Sequence, residues 1–376
     1  MKKAVPRAIL VLALFFVGAF SSVSQTNALF QQGLDEFNRK EYSKSIDTYK
    51  QYLTQFPNDY SAHFNVGLAY YNLFNYPLAE SSLRSAIRIK PDYVRAHVYL
   101  GSTLSFANRY NEAIAELMKA LEFEPNNSGA YFEIGLAHYR QKNYTAALQA
   151  YRRSSEIDPS KGDTHYRIGA TLSRLDKKVD AQAAYERAVS LGLKNGFVQY
   201  ELARLYAGNQ RYTDAIRLLK EAAVILPDYA LAYHELGTTY NEVKQFPLAI
   251  AALNTAIKLD PKSADSHLGL GNSYYNDNKY AESIPHYQKA LELSPKWETA
   301  GNYLGDAYLY SNQPAQALAA FNKVLAINPK NTVAIYGLGL VHVRQKNIVL
   351  AQQQLEKLDL LDKPLADKLR EKINAM

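Results

Sequence analysis

His63, His97, His165 and His267 stand 34, 68 and 102 residues apart, all multiples of one interval. Imidazoles are the usual general bases near neutral pH and the commonest metal ligands, so eight histidines invite a catalytic or metal-binding reading. The spacing argues against it. Metal-binding histidines on a helix come about four residues apart, whereas a period of 34 puts each one at the same place in a separate structural unit. His138 and His342 also share a phase of this period, and His234 and His286 have no ligand-type neighbour in the sequence. Cysteine is absent, which excludes a disulfide framework, thiolate catalysis and a zinc–thiolate site. There is no phosphate-cradling glycine loop and no GxSxG elbow. Glu112, Glu116, Glu186 and Glu282 fall on helix positions expected to face solvent. These residues predict no enzyme, no metal site and no cofactor.

The same interval governs the prolines. Pro57, Pro91, Pro125 and Pro159, then Pro227, Pro261, Pro295 and Pro329, recur every 34 residues with one step of 68. With Thr26 as position 1, ten repeats run without insertion or deletion to Leu365. Position 8 is glycine in nine repeats and Ala203 in the sixth; position 20 is always alanine or serine; position 24 is large and apolar or tyrosine. Within a repeat, apolar residues recur at helical spacing in two blocks, such as AHVYLGSTLSFA (96–107) and YNEAIAELMKALEF (110–123). Each repeat should therefore be helix, tight turn, helix, turn, with the proline ending the second helix. A glycine inside a helix costs about 1 kcal/mol relative to alanine. Nine of them at one position predict a close helix–helix approach there, with the small residue at position 20 as the expected partner.

These residues resemble the tetratricopeptide repeat, a 34-residue pattern of Trp-x2-Leu-Gly-x2-Tyr, then Ala-x3-Phe, then Pro. HVYLGSTL (97–104), YHELGTTY (233–240) and NYLGDAY (302–308) carry its first part, and AALQAYRRSSEIDP (146–159) the second. The likeness spans residues 26–365; it departs at position 4, which never holds tryptophan, and the one tryptophan, Trp297, lies in an inter-repeat turn. The resemblance implies an all-α solenoid, a right-handed superhelix of ten helix–turn–helix repeats. Residues 361–376 should form a capping helix, with Leu361, Leu365, Leu369 and Ile373 as its apolar face.

The resemblance further implies a concave groove lined by positions 2, 5, 6, 9, 12 and 13 of the first helices. The expected peptide-binding residues there are Tyr139, Arg140, Tyr166, Arg167, Arg174, Tyr200 and Arg204, with Glu133 and Glu201 among them. Asn272, Tyr275 and Asn276 follow further along, with Tyr303, Asp306 and Tyr310 beside them. Arginine beside tyrosine can pair with carboxylates and stack on planar groups. The family's carboxylate clamp is missing, because position 5 is never lysine.

The N-terminal stretch reads as a secretory signal. Lys2, Lys3 and Arg7 precede an apolar run from Ala8 to Phe20, which is short of the roughly 20 residues of a membrane span and reads better as a cleaved signal than as an uncleaved anchor. Cleavage after Ser24 fits a small-x-small pattern, with Ala28 as an alternative. A lipid anchor would need a cysteine. The expected location is the bacterial periplasm or the exterior. The formal charge of +7 includes three positive charges in that signal, so the remaining imbalance argues against nucleic acid as a ligand. The expectation is an exported scaffold or adaptor with a protein or peptide partner in the cell envelope and no membrane span after cleavage. The alternatives are a regulatory or substrate-presenting subunit of an envelope enzyme complex, and a glycan- or peptidoglycan-binding module. The sequence sets no oligomeric state.

Two irregularities carry expectations of their own. Leu193, between Gly192 and Gly196, stands where a proline is due, and Lys178 holds the usually aromatic position 17 of the same repeat. A softer junction is expected at residues 191–197. Pro285, inside a second helix, predicts a kink or a frayed first turn there.

Overall fold

The structure, a computed structural model, describes residues 28–375, and these are helical with short turns. The chain forms two compact bodies that divide between Leu193 and Lys194. In the first body the first helices of the repeats are α1 (28–38), α3 (Tyr60–Asn72), α5 (Val94–Phe106), α7 (Ser128–Arg140) and α9 (Gly162–Arg174). Their partners are α2 (Tyr42–Gln55), α4 (Tyr76–Ile89), α6 (Tyr110–Phe123), α8 (Tyr144–Ile157) and α10 (Lys178–Ser190). In the second body the first helices are α11 (Gly196–Gly208), α13 (Ala230–Glu242), α15 (Ala264–Asn276), α17 (Glu298–Tyr310) and α19 (Thr332–Arg344). Their partners are α12 (Tyr212–Ile225), α14 (Phe246–Leu259), α16 (Tyr280–Leu293), α18 (Pro314–Ile327) and α20 (Ile348–Leu361), followed by α21 (Lys363–Asn374). From α3 to α20 the helices begin at positions 1 and 17 of the 34-residue frame. The proposed signal, residues 1–24, lies outside the described residues.

Both turns of the repeat have a local cause. The first turn closes each leading helix with a left-handed residue at position 15: Lys40, Phe74, Asn108, Lys142, Asp176, Gln210, Lys244, Asn278, Asn312 and Lys346. The following N–H reaches back to a carbonyl five residues earlier, as in Asn75 N to Tyr70 O at 2.9 Å and Asn143 N to His138 O at 2.9 Å, which satisfies helix-end carbonyls. Asparagine tolerates this conformation, but Phe74, exposed at φ 57°, bears steric strain there. The second turn ends on the proline, which cannot extend the helix. It is tied down where position 4 is histidine, because the ring Nε2 of His63, His97, His165 and His267 meets the carbonyls of Pro57, Pro91, Pro159 and Pro261 at 2.7–3.3 Å. The histidine phase that invites a catalytic reading thus pins turns.

The glycine reading needs one correction. A Cβ added at Gly135 would lie 2.6 Å from Tyr151 Cδ1, and one at Gly101 would lie 2.5 Å from Leu117 Cγ. The same holds at Gly67 against Leu83, Gly169 against Tyr185, Gly271 against Tyr287 and Gly305 against Phe321. The glycine therefore makes room for the large position-24 side chain. The small residue at position 20, 0 % exposed in all ten repeats, meets it through its backbone carbonyl, as in Ala113 O at 3.1 Å. Burying a tyrosine or leucine of this kind contributes about 1.5–3 kcal/mol, which exceeds the propensity cost of the glycine. In the last repeat Gly339 meets Leu369 of α21 at 2.5 Å instead of position 24.

Three further expectations meet a different outcome. The terminal helix starts at Lys363; Leu361 belongs to α20 and is exposed, and Ala366 joins Leu369 and Ile373 in the packing against Ile335 and Leu358. Helix α16 runs from Tyr280 to Leu293 with Pro285 inside it, which rules out the frayed first turn and leaves the kink of that expectation untouched. Glu116 does not face solvent: it is buried, accepts from His97 Nδ1 at 2.6 Å and from Lys119 at 3.0 Å. Histidine at position 4 of the same repeat draws it inward. Burial alone would lower the His97 pKa and raise that of Glu116, but their mutual hydrogen bond, with Pro91 O and Lys119, drives His97 up and Glu116 down.

At the junction, α10 stops one residue earlier than its counterparts, and Gly192 adopts φ 77°. Leu193 N still caps back to Ala188 O at 3.2 Å.

Candidate binding faces

The placement of the inner face follows from which helices meet. First helices of successive repeats touch each other, α3 with α5 and α5 with α7 in the first body. In the second body the series is α11, α13, α15, α17 and α19. Second helices make no comparable contact with one another among the described residues, so they diverge on the outer side and the first helices line an inner one. Positions 5, 6, 9, 12 and 13 point there, because the opposite side of each first helix is spent on its partner.

In the first body this face is aromatic and cationic. The Arg140 guanidinium lies 4.0 Å from the Phe106 ring centroid and donates to Ser105 Oγ at 3.2 Å. Phe106 also stacks on Tyr76, with centroids 5.3 Å apart, and Tyr71 meets both rings edge-on. Arg167 lies 5.3 Å over Tyr166, and Arg174 donates to the Tyr139 hydroxyl at 3.4 Å. Glu133 sits between these groups with a buried Oε2 that has no hydrogen-bond partner. Burial raises its pKa, against the opposing pull of Ser102, Arg140 and Arg167. Its capacity to neutralise the arginines is reduced accordingly.

The second body presents the opposite balance. Tyr200 is buried and Arg204 lies 5.6 Å over its ring, but Arg204 is paired with Glu201 at 3.4 Å and Glu235 at 3.3 Å. Its charge is locally cancelled. Further along, Asn272 Oδ1 accepts from the Tyr287 hydroxyl at 2.9 Å, Asn276 is exposed, and Tyr275 packs edge-on against Tyr280 and Tyr310. Asp306 stands in this tyrosine cluster, and burial raises its pKa to about 6.

The expected residues therefore fall into two sets. Tyr139, Arg140, Tyr166, Arg167 and Arg174 share the inner face of the first body, whereas Tyr200, Arg204, Asn272, Tyr275 and Asn276 belong to the second. Phe106, Tyr71 and Ser105 were missed in the sequence, although positions 12 and 13 of the preceding repeats would have supplied them. Of the other four histidines, His234 Nδ1 meets Ser266 Oγ at 3.1 Å and His286 stacks on Tyr274 with centroids 5.4 Å apart, whereas His138 and His342 each hold a buried Nδ1 without a hydrogen-bond partner. Among the described residues no three His, Asp or Glu side chains converge as metal ligands would. No helix among them is long and apolar enough to cross a membrane.

Tetratricopeptide repeat profiles match residues 30–94, 166–230 and 234–296, with further matches at 107–142, 128–161 and 308–373. The chain belongs to the tetratricopeptide repeat family. Its helical pairs and inner faces are those of a protein-interaction scaffold. No curated protein matches the sequence. Among solved structures, this tetratricopeptide protein is similar to YrrB, described as a TPR protein with an unusual peptide-binding site. The identity is 20%, over 49% of this chain and 95% of that one, with a TM-score of 0.47. It is also similar to the APC/C hetero-tetramer Cut9–Hcn1, at 16% identity over 93% and 90% of the chains with a TM-score of 0.48. A third is pilF of Pseudomonas aeruginosa, at 18% identity over 55% and 94% with a TM-score of 0.46. The family assignment rests on the repeat profiles and not on these likenesses.

Proposed function

We propose that this tetratricopeptide protein is an exported, non-catalytic scaffold that binds an acidic peptide segment or chain terminus of a protein partner on the inner face of its first body. The observation that carries this is the pair Arg140 and Arg167. Each guanidinium lies near an aromatic ring, at 4.0 Å from Phe106 and 5.3 Å from Tyr166, and Glu133, the carboxylate between them, is pushed toward its neutral form by burial. A guanidinium within 4.0–5.3 Å of a ring centroid still carries N–H donors that can pair with a carboxylate. The charged N-terminal stretch and apolar run before Ser24 support export, and a periplasmic or secreted setting follows from it.

The test is selection from a random displayed peptide library on the immobilised full chain. Enrichment of peptides carrying Asp or Glu, weakened by salt and removed by Arg140→Ala with Arg167→Ala, is the expected outcome. Enriched peptides without acidic residues, or enrichment indifferent to the double substitution, would overturn the reading.

A further inference from the structure

The second body holds a carboxylate that the acidic-peptide reading does not use. Asp306 is at position 9 of the ninth repeat, on the inner side of α17, and is only partly accessible. Among the described residues it has no hydrogen bond and no ion pair, and its raised pKa has burial as its only cause, with no cation contributing. Around it stand tyrosines from three successive first helices, Tyr275 of α15, Tyr310 of α17 and Tyr336 of α19, and Tyr303, one helical turn before Asp306 on α17, touches Tyr275. Asp306 raises the pKa of Tyr275, Tyr310 and Tyr336 through its charge, after the larger effect of their burial. Tyr275 lies 6.2 Å from Tyr303 and 6.1 Å from Tyr310, centroid to centroid, and Tyr280 backs Tyr310 at 5.2 Å. Tyr303 is backed in the same way by Tyr287 at 5.7 Å. The cation of the neighbouring helix, Arg344, donates its Nη1 to the Leu309 carbonyl at 2.6 Å rather than to Asp306.

A half-buried carboxylate without a partner is costly, and the fold could remove the cost by placing asparagine there. The rings around it are backed by other rings, which fixes their orientation, and Tyr310 is 47 % exposed. Tyrosine faces attract cations, more strongly where water is excluded. A carboxylate at the base of such a cluster completes a site for one positive group.

We propose that the inner face of the second body carries a cation-binding cage, with Asp306 as counter-ion and Tyr275, Tyr303 and Tyr310 as its walls. The cage takes the ammonium or guanidinium group of a basic side chain in a partner peptide. The inference rests on the inner face being the binding surface, but not on the acidic segment assigned to the first body. The two bodies then read opposite charges.

The test titrates the full chain, carrying 13C-labelled tyrosine, with Nα-acetyl-lysine methylamide, Nα-acetyl-arginine methylamide and the neutral Nα,Nε-diacetyl-lysine methylamide. Tyr310→Phe assigns the Tyr310 signal and keeps an aromatic face. Saturable shifts of the Tyr275 and Tyr310 signals with one or both basic amides are expected, with the neutral amide binding about tenfold or more weakly. Asp306→Asn, nearly identical in shape, should remove the preference, whereas Tyr310→Phe should retain it. Equal response to the neutral amide, a preference that survives Asp306→Asn, or no saturable shift would overturn the cage. Acidic-peptide selection on the same Asp306→Asn chain keeps the two proposals separable, because that selection depends on Arg140 and Arg167.

Discussion

Replacing Gly135 by alanine tests the packing rule from which the fold is built. Two effects favour the alanine: a helix interior prefers it by about 1 kcal/mol, and the unfolded chain loses freedom. Opposing them, the new Cβ would sit 2.6, 2.7 and 3.0 Å from three ring carbons of Tyr151, a rigid side chain that is 0 % exposed. No flexible end can move aside, so the ring and α8 must shift together. Overpacking of this kind costs typically 1–3 kcal/mol, and contacts this short belong at or beyond the upper end, which leaves a net loss of about 2 kcal/mol after the propensity gain. Native-state hydrogen exchange is the suitable assay, because repeat arrays open locally and a single unfolding midpoint averages over them. Amides of α7 and α8 should lose protection by about that amount. Gly208→Ala is the control: nothing lies within 4 Å of its added Cβ, so protection in α11 should stay level or rise by about 0.5 kcal/mol. Unchanged or increased protection around Gly135 would refute the claim that position 8 is reserved for the position-24 side chain.

Other perturbations follow from the same structure. The His97 ring contacts two acceptors, Glu116 and Pro91 O, and its pKa is raised; the stability it adds should be full below about pH 6.5 and fade as pH rises through the folded value. The stability gap between the wild type and His97→Asn, measured by urea unfolding, should therefore shrink at alkaline pH. Asp306 has the opposite cost: its folded pKa near 6 exceeds the ordinary 3.8, so stability falls as pH rises between those values. Asp306→Asn should then stabilise the second body above pH 6 by about 1–2 kcal/mol after allowing for partial exposure, and by nothing below about pH 3.8. We also propose that residues 191–197 form the softer junction; their amides should exchange faster than those of the proline-bearing turn at 157–163, and equal protection would contradict it.

The fold was legible because most repeats state the same rules, with Leu193 and Lys363 the departures at position 32 and Ala203 the one at position 8. Proline at position 32, a small residue at 20 and glycine at 8 recur in phase, so ten noisy signals reinforce one another. Which neighbour a glycine serves was not legible, since sequence period gives a phase and not the direction of a side chain across the helix pair. Position 15 escaped notice for a related reason: lysine, asparagine, glutamine, aspartate and phenylalanine all adopt the left-handed turn there, and the context imposes it without glycine. Glu116 was misplaced because its burial depends on His97, nineteen residues away. The inner-face residues could be named from frame positions alone. Their electrostatics could not: Arg204 is cancelled by Glu201 and Glu235, while Glu133 and Asp306 are shifted by burial.

The central claim is that a partner lies against the inner helices. Site-specific photocrosslinking in the native host tests it most directly, with the probe at Tyr166 on the inner face and, for comparison, at Arg187, exposed on the outer helix α10. The account predicts one discrete partner captured from Tyr166 and not from Arg187, with the crosslink mapping to an acidic segment of that partner. Capture from Arg187 alone, or from neither position, would contradict it.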